Sequence, residues 1–412
     1  MNLELLFKMA DFTPNDSQLK AIVHQEGPLF LTAGPGSGKT RVLLWRALNL
    51  IVFHGVDPSQ VFLSTFTEKA AFQLKEGLKS LLALVTNETG KPYDISGMSV
   101  GTVHSLCQKL LTDRRFTETQ ERRRAPVLLD ELAQYFRVYS HRCWKELLAA
   151  GGFIDEEAGQ RAINTWTTGR DSYSRHYAAL NALAFFNRLS EEDFSQTETN
   201  PSEEVLFALL SMYAKYREDL RHSRLVEIVD FSVLQQCAYR YFMMSEKSKF
   251  VFKHVIIDEY QDTNAIQEKI FFRLAEGYQN ICVVGDDDQA LYRFRGATVE
   301  NLVEFANRCM RYLNVATKRV DLSTNYRSRK KIVDLYGDFI GRTDWKAADG
   351  SGRSYRIIGK SINAASFDNG VSVVVSARAK AESVYREIAQ LVKALKQAGK
   401  VEDYSQVAFL FP

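Results

Sequence analysis

The sequence predicts an α/β protein: a largely parallel sheet flanked by helices, interrupted by a helical insertion and followed by the start of a second α/β unit. Three observations predict it. Short apolar runs from Leu29 and at Val61–Thr65, Val251–Ile257 and Ile281–Val284 place polar residues just beyond their ends, the pattern of buried parallel strands with ligand-binding groups beyond their carboxyl ends. Helical patterns, TRVLLWRALNLIVF and EKAAFQLKEGLKSLLALV, follow the first two runs. Between about residue 113 and residue 225 the pattern changes to long helical stretches rich in Arg, Glu and aromatics.

A chain of 412 residues exceeds one ordinary core and predicts two to three domains; after Thr324 the helix-like RKKIVDLYGDFIG, the run VSVVV, a further helix and the terminal run VAFLFP read as the start of a second α/β domain that ends on a strand. With 45% hydrophobic and 25% charged residues it reads as a folded globular protein, which excludes disordered and fibrous classes. The net charge is only +3, so any nucleic-acid contact must come from a local strip of side chains rather than a long-range field. Five cysteines with no CxxC pair argue against a disulfide framework or zinc module and for reduced thiols, hence a cytoplasmic location. The first residues, MNLELLFKMADFTPND, lack a secretory pattern, and no run approaches a membrane span, so no membrane partner is expected.

The first element to justify is the loop AGPGSGKT. Residues Ala33, Gly34, Pro35, Gly36, Ser37, Gly38, Lys39 and Thr40 follow an apolar run and open a helix, the context that a phosphate-binding loop requires. Small residues let backbone N–H groups wrap a phosphate, Lys39 reaches the β- and γ-phosphates of ATP, and Thr40 offers a hydroxyl to Mg²⁺. The next is VIIDEYQDTN, whose apolar residues carry Asp258 and Glu259 to a strand end. Alone, such an acidic pair is equally a solvated loop or a helix cap. Beside the upstream loop, Asp258 reads as a Mg²⁺ ligand and Glu259 as the group that orients and deprotonates the attacking water.

These motifs, with FTPNDSQLKAI, TFTEKAAFQLKEGL, GTVHSLCQKLL, IVDFSVL, VVGDDDQALYRFRGA and LSTNYRS in that order, resemble the UvrD/Rep family of superfamily 1A helicases from Phe12 onward. The resemblance implies a P-loop NTPase with a RecA-like parallel sheet, a helical insertion domain and a truncated second RecA-like domain. It implies a first domain of residues 1–112 and 226–320, an insertion of 113–225 and a second domain from 321 to 412. Carried over to this sequence, Gln18 is expected to read the adenine edge and Tyr326 to stack on the base with Arg41 nearby. Gln289 is expected to sense the γ-phosphate, and Arg327 to place its guanidinium there. An isolated arginine is by default a surface ion pair; the NYRS context favours the γ-phosphate.

Single-stranded DNA bound without sequence reading needs stacking surfaces alternating with phosphate donors. By the same resemblance, Phe66, Tyr292 and Phe294 are stacking candidates, and Thr65, Thr102, His104 and Arg295 polar contacts. Outside the motifs, such aromatics are more often core. Two residues depart from the family pattern: Phe294 stands for the usual Trp and Val103 for the usual Phe, which reduces stacking area. His104 reads equally as a satisfied structural histidine, and the basic run at 114–124 as a solvated helix face or a duplex surface.

The expected function is an ATP-dependent 3′-to-5′ DNA helicase, with ATP and Mg²⁺ as cofactors and single-stranded DNA and single-strand/duplex junctions as partners. The family's motifs V and VI are absent, so this chain is expected to bind Mg-ATP weakly, hydrolyse it poorly and not unwind. Other readings are an ATPase subunit of a helicase–nuclease or defence complex, and a non-catalytic single-strand or partner-binding module. Intact Lys39, Asp258, Glu259, Gln289 and Arg327 argue against the last.

Overall fold

A computed structural model describes residues 1–116, 125–194, 203–221, 227–291, 297–368, 370, 372–374 and 380–410. Six strands form one sheet: β1 (Leu29–Ala33), β2 (Val61–Thr65), β3 (Ser99–Thr102), β4 (His254–Ile257), β5 (Ile281–Gly285) and β6 (Lys318–Leu322). All pairs are parallel, in the order β3-β2-β4-β5-β1-β6. The two-residue period of a strand divides the apolar runs between two cores. Leu29, Leu31, Leu63, Ile256 and Val284 face helices Asp16–Val23, Lys39–Val52 and Glu68–Thr89, packing with Ile22, Trp45, Leu48, Leu74 and Val85. Phe30, Phe62, Val255, Ile257 and Val283 face the opposite way and pack with Leu106, Phe242, Phe271 and Phe305.

Between β3 and β4 the chain forms helices Glu131–Tyr139, His141–Ala150, Glu156–Thr168, Arg175–Glu191 and Glu204–Arg221, as the helical patterning predicts. Their root is a two-residue parallel ladder, Val127–Leu128 with Ile228–Val229. The buried Asp230 follows it, capping helix Phe231–Met244 through Val233 N at 2.7 Å. Asp230 also accepts from Tyr216 Oη at 2.6 Å and Gln134 Nε2 at 3.1 Å. Helix Phe231–Met244 then packs on Arg175–Glu191, Val103–Leu110 and Ala265–Ala275, so the insertion shares one continuous core with a face of the sheet.

Three expectations require correction. The run at Val251–Ile257 becomes a strand only from His254. Lys318–Leu322 is the edge strand of the main sheet, so a boundary at residue 320 would fall inside β6. The apolar runs VSVVV and VAFLFP form no strand among their described residues, 372–374 and 407–410. Beyond β6 the ladder is Thr324–Asn325 with Asn363–Ala364, accompanied by helix Lys330–Gly341 and a helix, Ala381–Gln397, that buries none of its residues. No helix among the described residues is long and apolar enough to cross a membrane.

His254 opens β4 with 3% of its surface exposed. Burial, and after it the enclosed Arg46 guanidinium, lowers it from 6.5 to about 3. It stays neutral in the fold while the unfolded chain takes up a proton below pH 6.5, so the stability it contributes is present above that pH and is lost toward pH 3, by about 1.4 kcal/mol per unit. Thermal scans are expected to show a falling melting temperature as pH drops from about 7 to about 5, and a shallower fall in His254→Gln. An unchanged slope in the variant would assign the acid sensitivity to other groups.

Candidate nucleotide site and adjoining cleft

The polar residues predicted to lie beyond the strands gather at one edge, because every strand of a parallel sheet ends on the same side. The loop after β1 leads into helix Lys39–Val52, with Gly38 in the left-handed region as its N-cap. Gly36 also has positive φ, +67°, and a Cβ there would lie 2.6 Å from Arg327 Cβ; only glycine meets both demands. The segment Asn325–Arg327 therefore rests on the loop. Tyr326 N donates to Gly36 O at 2.9 Å and Asn325 Nδ2 to Pro35 O at 2.7 Å. Asn325 Oδ1 accepts from Arg327 N and Ser328 N, both at 2.8 Å. Ile362 covers Gly34 from the same side.

On the base side, Gln18 forms a capping box with Asn15 and donates Nε2 to Ser37 O at 3.2 Å. Its amide is thus spent on the loop and on its own helix cap. Asn15 Nδ2 donates to Tyr326 Oη at 2.8 Å, which ties the two expected base contacts together; sequence reasoning missed Asn15. Arg41 stacks over Phe12 at 4.6 Å, and Phe12 lies against Trp45 in the core. Arg41 and Tyr326 are both exposed.

On the acidic side, Lys39 Nζ pairs with Glu259 Oε2 at 2.9 Å. Glu259 is a non-glycine residue at φ +52°, a conformation whose cost is met at functional sites. Asp258 is enclosed; its N donates to Ser64 O at 2.8 Å and its Oδ1 accepts from Glu259 N at 3.0 Å. Burial first, then the Glu259 charge, raises Asp258 to about 7 against the pull of Lys39. The same two causes raise Asp262 to about 7. Three carboxylates thus face one ammonium, and the surplus of hard oxygen donors, with the Thr40 hydroxyl at the helix start, fits a Mg²⁺ ion.

Thr65, Phe66, Thr102 and His104 line one cleft with Asp258, Glu259 and Asp262, a space of about 970 Å³ walled on the far side by Trp166, Phe185 and Arg188 of the insertion. Phe66 is 37% exposed there. Thr65 Oγ1 and Asp262 Oδ1 are buried with no hydrogen-bond partner among the described residues. Thr102 is committed differently: it caps helix Val103–Leu110 and donates to Glu68 Oε1 at 2.6 Å. His104 shares a hydrogen bond with Gln235 Nε2 at 2.8 Å, and burial lowers it to about 4; it is a neutral wall residue rather than a cation. Gln289 donates to the Asp286 carboxylate. Tyr292, Phe294 and Arg295 lie outside the described residues, as does most of the basic run at 114–124.

A sequence model of the UvrD/REP helicase N-terminal domain matches residues 14–310. The ATP-dependent DNA helicase PcrA of Bacillus subtilis (strain 168) is 32% identical over 331 residues, covering 79% of this chain and 39% of that protein. The ATP-dependent DNA helicase UvrD1 of Mycobacterium leprae (strain TN) is 29% identical over 368 residues, with 84% and 42% covered. UvrD1 of Mycobacterium tuberculosis (strain ATCC 25618 / H37Rv) is 29% identical over 347 residues, with 80% and 39% covered. The chain spans about two-fifths of the length of these relatives. With the N-terminal domain of the family matched over most of the sequence, this chain belongs to the UvrD/REP helicase family.

Proposed function

We propose that this chain is the ATP-binding core of an ATP-dependent DNA helicase that moves 3′-to-5′ on single-stranded DNA and acts at single-strand/duplex junctions. The observation that carries the reading is the shared sheet edge: Asp258 and Glu259 border the same cleft as Thr65 and Phe66, and a 2.8 Å hydrogen bond joins Asp258 N to Ser64 O beside them. A strand of DNA seated on Phe66 and a nucleotide seated on the loop would both press on the ends of β2 and β4. Polarity rests on the family resemblance alone. We take residues 1–112 and 226–322 as the nucleotide body, 113–225 as the insertion, and the remainder as a second unit.

Lys39 would leave Glu259 for the β- and γ-phosphate oxygens of ATP, freeing the carboxylate to accept a proton from the attacking water. Thr40 and Asp258 would hold Mg²⁺, which supplies charge neutralisation at the phosphates. Arg327, anchored through its backbone over Gly36, would place its guanidinium on the γ-phosphate, and Gln289 would sense that group. Tyr326 and Arg41 would flank the base.

Phe66→Ala is expected to weaken binding of a labelled oligo-dT about tenfold, the range of one base–aromatic stack, read by fluorescence anisotropy. ATP hydrolysis measured with and without the same oligonucleotide is expected to rise with DNA present. No binding by the unsubstituted chain, or identical binding by the variant, would remove DNA from the cleft. Duplexes with 3′ or 5′ tails test polarity separately.

A further inference from the structure

We propose that Lys360 is a positioning residue for the γ-phosphate sensor: through Asp286 it sets Gln289, so that the segment beyond β6 and the bound nucleotide influence each other. The inference rests on the nucleotide reading above. It starts from the acidic triplet Asp286, Asp287 and Asp288 after β5, whose ligand oxygens lie close enough together to suit a metal ion. The centre of the triplet is instead taken by an ammonium group. Lys360 Nζ donates to an Asp286 oxygen and to Asp287 Oδ1 at 2.6 Å, and pairs with Asp288 Oδ2 at 2.8 Å. Three carboxylates therefore close on one ammonium. Neither the Asp286 nor the Asp287 side chain reaches solvent, and that of Lys360 is only 2% exposed.

The other Asp286 oxygen accepts from Gln289 Nε2. One carboxylate therefore holds Lys360 on one side and Gln289 on the other. The backbone continues the path: Asp286 N donates to Gln261 Oε1 at 3.0 Å, and Gln261 Nε2 donates to Glu259 Oε2 at 2.8 Å. That oxygen is the one paired with Lys39. An unbroken polar chain thus runs from the phosphate lysine, through Glu259, Gln261 and Asp286, to Lys360 and Gln289. Arg356 and Ile357 N hold Asp288 and Asp287 beside it without touching Gln289. Removing the ammonium would leave enclosed carboxylates facing one another, and one of them would turn away or take a proton, releasing Gln289 from its set direction.

The test is a titration of the whole chain with fluorescent mant-ATP and mant-ADP in the presence of Mg²⁺. Lys360→Met is expected to narrow the preference for the triphosphate about fivefold, and Lys360→Arg to restore most of it. Gln289→Ala should cause the same narrowing, and the double variant no further loss. Asp286→Asn should follow Lys360→Met, whereas Asp288→Asn, which loosens Arg356 and one contact of Lys360 but leaves Asp286 joined to both Lys360 and Gln289, should keep the preference within about twofold. The two aspartate variants carry the comparison if Lys360→Met does not fold. An unaltered preference in Lys360→Met, additive losses, equal weakening toward both nucleotides, or equal effects of the two aspartate variants would overturn the proposal alone. Failure of the unsubstituted chain to bind either nucleotide would overturn the nucleotide reading, and this proposal with it.

Discussion

Glu259→Gln is expected to cut ATP turnover by about 10²–10⁴-fold, the usual contribution of a positioned general base, while nucleotide binding holds or tightens. The opposite directions follow from one arrangement. Glu259 accepts from Gln261, pairs with Lys39 at 2.9 Å and is the second cause, after burial, of the raised Asp258. The amide cannot take a proton from water, so the chemical step loses its acceptor. It also no longer holds Lys39 away from the phosphates and no longer opposes the charge on Asp258, so binding loses two competitors. Single-turnover hydrolysis beside calorimetric titration separates the effects. Turnover within about tenfold of the unsubstituted chain would move the base to another residue.

Lys39→Met is expected to weaken Mg-ATP binding roughly a hundredfold, since two charge-assisted hydrogen bonds to phosphate are worth about 3 kcal/mol together after solvent exchange. The loss is less than the gross attraction because the free chain already satisfies this ammonium with Glu259, the two side chains being 11% and 29% exposed. The variant also leaves Glu259 without its cation beside a site already rich in carboxylates. Titration with a slowly hydrolysed ATP analogue should show the drop, with DNA binding by Phe66 unaffected. A change of less than about threefold would mean that the backbone of the loop holds the phosphates without help from the side chain.

The parts of the site legible in the sequence were those whose chemistry demands a fixed local order. The loop at residues 33–40 joins β1 to a helix and Asp258 follows the buried β4, so local pattern alone places both. β6 was harder. Its exposed Lys318 and Arg319 leave only Val320 and Leu322 to mark a strand, and a boundary at residue 320 falls inside it. VAFL shows the reverse error: an apolar run carries strand propensity, but ladder formation needs a neighbour, and residues 407–410 have none among the described residues. Lys360 gave no signal, because a lone lysine in an irregular stretch acquires meaning only when the acids it meets, some 70 residues earlier in the chain, are folded against it. The left-handed backbone of Glu259 was equally invisible, since nothing in DEYQD distinguishes it from an ordinary turn residue.

The place of β1 within the sheet bears on how the protein is made. This strand is the first of the six to leave the ribosome, yet its neighbours are β5 and β6, whose pairing residues begin at Cys282 and Lys318. About 250 residues must be synthesised before either partner exists, roughly 10–50 s at ordinary elongation rates. β2 and β3 can pair at once, but the apolar strand that ends in the phosphate loop waits with both edges open. Such a strand invites intermolecular pairing until its partners arrive. The nascent chain therefore depends on being shielded through that interval, and the nucleotide loop is assembled among the last parts of the sheet rather than the first.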